Sequence, residues 1–250
     1  MLFRPSITLT LTLVILATLF ARLGAWQLER KQEKEELFDL FENAPTLSAT
    51  QAMEQQQRFA QVEAVGRYDE ERHILLDNRI WRGRAGVEVL TPFTLTDGTQ
   101  LLVNRGWLPL PADRSSLPAV PTGAETRQIS GRLNELPGQG PRLGQADVLV
   151  SDRWPQLITY FDLGSLETAF GLELEPWILQ LDADDASGFE GRQWKAAVME
   201  PKVHGAYALQ WFSLMITTII IWIVLGVRRA QLLKHEVSLP GGTPSGDTTP

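Results

Sequence analysis

Residues 202–227 read KVHGAYALQWFSLMITTIIIWIVLGV, and this stretch decides how the chain is organised. Positions 206–227 carry no charged side chain. A helix of about 20 such residues covers the roughly 30 Å of hydrocarbon in a bilayer. The run therefore reads as a membrane span, 204–228 with its flanks. Helical spacing puts His204, Tyr207, Ala208, Trp211 and Met215 on one stripe. An imidazole at that depth costs free energy without a partner, which makes His204 a candidate functional residue. The plainer reading is an interfacial belt, in which Tyr207 and Trp211 anchor the helix at headgroup level and His204 faces water.

A second apolar run lies near the N-terminus at 7–21. It reaches Trp26 if Arg22 sends its guanidinium to the surface, giving a span over 6–26. A cleaved signal peptide is the alternative, with Arg4 ahead of the apolar run. Leu23-Gly24-Ala25 has a large residue where the cleavage pattern needs a small one, so an uncleaved anchor is expected. Arg228, Arg229 and Lys234 follow the second span and mark a cytoplasmic flank. Arg30, Lys31 and Lys34 argue the other way. They are interleaved with Glu29, Glu33, Glu35 and Glu36 and open a long loop, where the charge rule is weak. The expected organisation is a cytoplasmic start over 1–5, an outer domain over 27–203, and a cytoplasmic tail over 229–250. The tail is Gly/Pro/Ser/Thr-rich from 238 on and is expected to be disordered.

The stretch between the spans holds 18 Lys/Arg against 28 Asp/Glu, a net charge of −10. That argues against nucleic-acid binding, which needs basic patches. The chain has no cysteine, which excludes disulfides, thiol catalysis and zinc–cysteine sites.

Residues 27–42 continue the first span as a charged helix, with Trp26, Arg30 and Lys34 on one face and Asn43-Ala44-Pro45 as its end. The period then changes. Phe59, Val62, Val65 and Tyr68 precede a turn at Asp69-Glu70, and Ile74-Leu75-Leu76 forms a short strand. Val87, Val89 and Leu90 lead to Pro92-Phe93-Thr94-Leu95. Asp97-Gly98 then separates two β-prone runs and predicts a hairpin. Further strands are expected at 127–136, at Val148-Leu149-Val150 and at 177–181. A helix is expected at 163–170, with Asp162 as N-cap and Gly171 as stop. Pro/Gly-rich connections fill 108–123 and 137–144. The expected fold class is a membrane protein with two transmembrane helices flanking a β-rich α+β extracytoplasmic domain, an antiparallel sheet or partly closed barrel.

Most catalytic signatures fail. Gly138-Gln139-Gly140 starts like a dinucleotide fingerprint, but Pro141 follows and Gly144 is one place late, so it reads as a loop. Asp182, Asp184 and Asp185 before Gly188 and Glu190 miss calcium-loop spacing and read as an acidic turn. His73 reads as a surface residue near a strand start, and His235 as a solvated one. Asn104-Arg105-Gly106-Trp107 at the end of the hairpin supports two readings: a strand end with a bulge glycine and a packed Trp, or a polar docking edge near the membrane.

Four blocks then stand in order: Gly24-Ala25-Trp26-Gln27-Leu28-Glu29-Arg30 with Lys34; Gly66-Arg67-Tyr68 with Leu75-Leu76-Asp77-Asn78-Arg79; Leu90-Thr91-Pro92 through Leu102-Val103-Asn104-Arg105-Gly106-Trp107; and His204-Gly205-Ala206-Tyr207-Ala208-Leu209-Gln210-Trp211-Phe212. Together they resemble the surfeit locus protein 1 family of cytochrome c oxidase assembly factors, over nearly the whole chain to about residue 227. The resemblance implies a non-enzymatic role in maturing oxidase subunit I, in the bacterial inner membrane with the main domain periplasmic. It also implies haem a as a transient cofactor, with His204 as the axial ligand. Tyr207 and Trp211 could then stack on the porphyrin, and Arg30 or Arg105 could pair with propionates. Trp26, Gln27, Asn104 and Trp107 complete the expected partner or propionate contacts. Subunit I, the haem a synthesis machinery and the lipid bilayer are the implied partners. The competing readings are a haem-free scaffold for subunit I, a membrane-anchored extracytoplasmic enzyme, and a sensor, for which the tail leaves little room.

Overall fold

Strict alternation marks the first long strand of the middle domain. In β2 (Gln61–Tyr68), Val62, Ala64, Gly66 and Tyr68 point inward, while Glu63, Val65 and Arg67 face out. Val65 therefore leaves the set that its apolar character suggested, because side chains alternate at every residue of a strand. The structure is a computed structural model and describes residues 3–111, 116–136 and 147–238. The expectations for the 138–144 loop, residues 239–250 and the His235 side chain fall outside what it describes.

Two compact units form. One holds the long helices, up to Phe38 in the first and from Ala197 in the second; the other is Asp39–Ala196. In the second unit, β2 neighbours β6 (Arg127–Glu135), which neighbours β8 (Trp177–Leu181), then β5 (Gln100–Pro109) and β4 (Arg84–Leu95). Strand β4 pairs back onto β2 through Gly66↔Leu95, Arg67↔Thr94 and Tyr68↔Phe93, closing a five-stranded barrel. The closure needs Gly66: a Cβ there would sit 2.2 Å from the Thr94 carbonyl oxygen. The expectation of an antiparallel sheet holds for every pair in the ring except one. Strands β5 and β8 run parallel, with Val103 opposite Leu179, so the barrel is mixed.

Residues Val62, Ala64, Phe93, Leu101, Val103, Ile129, Leu133, Leu179 and Leu181 fill the barrel. A second core lies on its outside, where Leu90, Leu102 and Ile178 meet Leu166 and Phe170 of α3 (Leu163–Phe170). Strands β4 and β5 are thus buried on both faces, and this is why Leu101-Leu102-Val103 runs apolar without alternating. The Asp97-Gly98 hairpin forms as expected between β4 and β5, with Gly98 at φ 92°. Helix α3 has the expected bounds and caps. Asp162 Oδ1 accepts from the Ser165 amide at 2.9 Å, and Gly171 turns left-handed at φ 65°.

Several elements differ from the sequence reading. β3 (Ile74–Trp81) runs well past Leu76 and turns back into β4 through Arg82 and Gly83, both with positive φ. Such turns usually announce themselves with Asn or Asp, and Arg82 hides this one. Val148-Leu149-Val150 is not a strand. The Gln156 side chain bonds the Val150 amide and carbonyl, and the strand is β7 (Gln156–Ile158), parallel to β3. A short strand β1 (Thr46–Ser48) and helix α2 (Ala49–Glu54) also form. The helix is capped by Ser48 and Gln51, which bond each other's amides. His73 is a core residue, not a surface one: Nδ1 pairs with Thr91 Oγ1 and Nε2 with the Glu70 carbonyl.

The two long helices are α1 (Ile7–Glu42) and α4 (Pro201–Ser238). Helix α1 joins the first apolar run to the charged segment and stops before Pro45. Helix α4 begins three residues ahead of His204 on a proline, which fits the first helical position. It continues through 229–238, so that part of the expected disordered tail is helix. Both are long and apolar enough to cross a membrane.

Candidate functional site

Within the helical unit, α1 covers Thr10, Leu13, Ala17, Phe20, Gly24, Gln27 and Lys31, wholly or in part. Helix α4 does the same with His204, Ala208, Trp211, Met215, Thr218 and Trp222. Both sets are spaced by alternating threes and fours, the repeat that keeps one face of a helix on a partner. The contacts confirm an antiparallel pair. Trp222 Nε1 donates to Thr10 Oγ1 at 3.1 Å, and Trp211 stacks on Phe20 with ring centres 5.9 Å apart. A Cβ on Gly24 would lie 2.8 Å from the Phe212 ring, so glycine permits this approach. Lower in the seam, Leu13, Val14, Ala17, Thr218, Ile219 and Trp222 line an apolar cleft of about 280 Å³.

At one end of the seam His204 Nδ1 meets Gln27 Oε1 at 2.8 Å. An amide oxygen only accepts, so Nδ1 carries the proton and donates. The other nitrogen, Nε2, then holds a free lone pair. It is buried and has no hydrogen-bond partner, on a side chain only 8% exposed. A buried acceptor left unmade costs about 1–3 kcal/mol.

Of the expected haem-contact residues, Gln27 and His204 come together. Trp211 shares the seam, but its ring is engaged by Phe20. Tyr207 is 45% exposed and Trp26 is 47% exposed, so both lie off the packed face. Arg30 pairs with Glu33 one turn on, leaving its Nε buried and unbonded. The Gln27–His204 pairing itself was not read from the sequence, where Gln27 was one contact candidate among several. The heptad spacing of both helices was the signal that could have joined them.

The hairpin block is buried. Arg105 is 3% exposed, not a surface group. Its guanidinium lies between the rings of Tyr68 and Phe189, 4.7 and 4.8 Å from their centres. Nε and Nη2 donate to the Ser187 carbonyl at 2.9 and 2.7 Å, Nη1 to Thr122 Oγ1 at 2.7 Å, and Nη2 also to the Pro121 carbonyl at 3.1 Å. Burial lowers the Arg105 pKa and raises that of the Tyr68 hydroxyl, as loss of water penalises both charged forms.

The neighbours of Arg105 are buried too. Asn104 Nδ2 donates to Glu88, while its Oδ1 accepts from the Gly106 amide. Gly106 sits at φ 102°, where a side chain would be strained, and hands the strand to Trp107. The Trp107 indole donates to the Arg79 carbonyl, and its amide to that of Glu190. Asn104, Arg105 and Trp107 all bond within the domain. They fasten the 182–192 segment onto the end of β5, as a packed strand end would. Among the described residues, no three His, Cys, Asp or Glu side chains gather as a metal site.

The SURF1 family model matches residues 14–216. The chain belongs to the SURF1 family. A SURF1-like protein of Monosiga brevicollis is 27% identical over 224 residues, covering 81% of this chain and 82% of the relative. A SURF1-like protein of Rickettsia felis is 25% identical over 224 residues, covering 86% and 95%. Surfeit locus protein 1 of Takifugu rubripes is 25% identical over 243 residues, covering 88% and 97%. The span matched to the SURF1 family includes both Gln27 and His204 and the whole barrel.

Proposed function

We propose that this SURF1 family chain is a non-enzymatic assembly factor for haem-copper cytochrome c oxidase, and that His204 is its ligand to haem a. Residues 6–26 and 204–228 cross the bacterial inner membrane, the ends face the cytoplasm, and residues 27–203 stand on the periplasmic side. Subunit I, the haem a synthesis machinery and the bilayer are its partners. Family membership supports the assembly role, and relatives in bacteria support the location.

One observation carries the haem reading: a neutral imidazole whose Nδ1–H is held by Gln27 and whose Nε2 lone pair is buried without a partner. Haem iron takes an imidazole nitrogen as an axial ligand. The donor fits that group in tautomer. A hydrogen bond from the second ring nitrogen fixes the tautomer and raises the basicity of the first. Nε2 is covered, so His204 would hold the iron only after the groups over it had moved aside. Arg30, near the same end of α1, keeps a buried Nε free to meet a carboxylate once its Glu33 pair opens.

The covered Nε2 and the engaged Trp211 ring are also what favours a haem-free scaffold. An absorption spectrum of the full chain, purified after co-expression with haem a synthesis enzymes, separates the two. The haem reading expects a bound-haem spectrum that His204→Ala loses in large part and His204→Met recovers in part, since a thioether is also an axial ligand. Equal haem in wild type and His204→Ala, or none in either, leaves the scaffold.

A further inference from the structure

The acidic outer domain carries a basic projection. From Asn78 to Val87 there is no Asp or Glu, and residues 79–84 read Arg-Ile-Trp-Arg-Gly-Arg. This is the turn between β3 and β4, with Trp81 paired to Arg84 and Ile80 to Ala85. Ile80 is 78% exposed, and Arg82, Gly83, Arg84 and Ala85 are exposed beside it. Arg79 has Glu88 at 3.7 Å. Arg82 lies over the Trp81 ring and Arg84 over the Trp107 ring, and neither has a carboxylate partner among the described residues. The next hairpin, β4–β5, is the opposite: its tip is Thr96-Asp97-Gly98-Thr99, with the Asp97 carboxylate bonding the Thr99 amide. The turns at the two ends of β4 thus present opposite chemistry.

We propose that the β3–β4 turn docks on the anionic headgroup surface of the bilayer. This rests on reading α1 and α4 as spans and not on haem. Guanidinium groups pair with phosphate in a two-pronged geometry, and an exposed Ile beside a Trp suits the boundary between headgroups and acyl chains. The turn is built stiffly for contact. Trp81 packs tilted against Trp107 with ring centres 5.5 Å apart and lies beside Gly191. An acidic protein would satisfy the arginines, but it would leave the exposed Ile80 beside Trp81 unexplained.

The chain has no cysteine, so a single one reports on the tip. Ile80→Cys, labelled with an environment-sensitive fluorophore, is placed in the full chain in nanodiscs made with brominated lipid. Thr96→Cys, on the acidic turn, is the control. One set of discs is phosphatidylcholine and the other is enriched in phosphatidylglycerol.

The proposal expects quenching at position 80 but not at 96, stronger in the anionic discs and reduced by salt. Each arginine at an anionic surface is worth a factor of about five, so Arg82→Gln with Arg84→Gln should weaken the contact about 30-fold. Both side chains are exposed, so the pair of changes is not expected to unfold the barrel. Quenching that is absent, or equal in both kinds of disc, overturns the proposal. If the label is quenched in neither disc but shifts on adding purified oxidase, an acidic protein partner is the occupant instead. A chain that fails to enter discs removes the span reading itself, which is a separate and visible failure.

Discussion

Arg105 and His204 are both buried polar side chains, and they differ in how completely they are used. All three guanidinium nitrogens of Arg105 donate to carbonyls or a hydroxyl, and two aromatic rings cover its faces. His204 spends one nitrogen on Gln27 and leaves the other empty. A fully satisfied buried group stabilises its surroundings and has nothing left to offer a ligand. A half-satisfied one lowers stability slightly and keeps a bond in reserve. The barrel block is therefore a fastening, and the helix seam is the candidate site.

Changes in the fastening should have the largest effects. Trp107→Ala is expected to cost about 3–5 kcal/mol, as a large buried ring is lost with its bond to the Arg79 carbonyl. Arg105→Ala should cost about 3 kcal/mol by stranding the Ser187 and Pro121 carbonyls, and Arg105→Lys should not restore the fork. Denaturant unfolding of the full chain in detergent measures both. Near-normal stability for Arg105→Ala would return that residue to the set of docking groups.

His73 sharpens the comparison, because it is a buried histidine with both nitrogens in use. Burial lowers its pKa from 6.5 to about 4. Between those values the unfolded chain binds a proton that the folded chain does not. This contribution is fully present above pH 6.5 and is lost as pH falls toward 4, up to about 3 kcal/mol in all. A stability profile over that range should slope downward with acid, and His73→Gln should flatten it. An unchanged slope in the variant would assign the acid sensitivity elsewhere.

The seam variants should act on binding more than on folding. Gln27→Leu removes the acceptor that holds the tautomer, and a loss of this kind lowers metal affinity about 10–100-fold. Gln27→Glu keeps the acceptor and should retain haem, with a shifted axial-ligand signature in the absorption or electron paramagnetic resonance spectrum. Equal haem and equal spectra for wild type, Gln27→Leu and Gln27→Glu would show that the pairing only packs the helices. The smallest effect is expected from His204→Ala on stability itself, under about 1 kcal/mol, since losing the Gln27 bond is offset by removing the buried, unbonded Nε2. A cost like that of Arg105→Ala would erase the distinction between the two sites.

Much of this was legible in the chain. The two apolar runs, the Asp97-Gly98 hairpin and the 163–170 helix with both caps follow from local chemistry alone. The misreadings share a cause. Arg105 looked like a surface group because arginine usually is one, and only the closing of Phe189 and Ser187 over it, more than eighty residues later in the chain, makes it a core residue. The β3–β4 turn was missed because Arg82 adopts a conformation its type seldom takes. Gln156, not the Val148–Val150 run, joined the sheet, because its side chain occupies the backbone groups that a strand there would have paired.

Residue period and capping act over a few positions, so the elements and their apolar faces can be read along the chain, as can the histidine at the mouth of an apolar helix. Which polar groups are spent is settled by folding. Hydrogen bonds saturate and depend on distance and angle, so whether Arg105 is complete and His204 is not rests on partners 82 and 177 positions away along the chain.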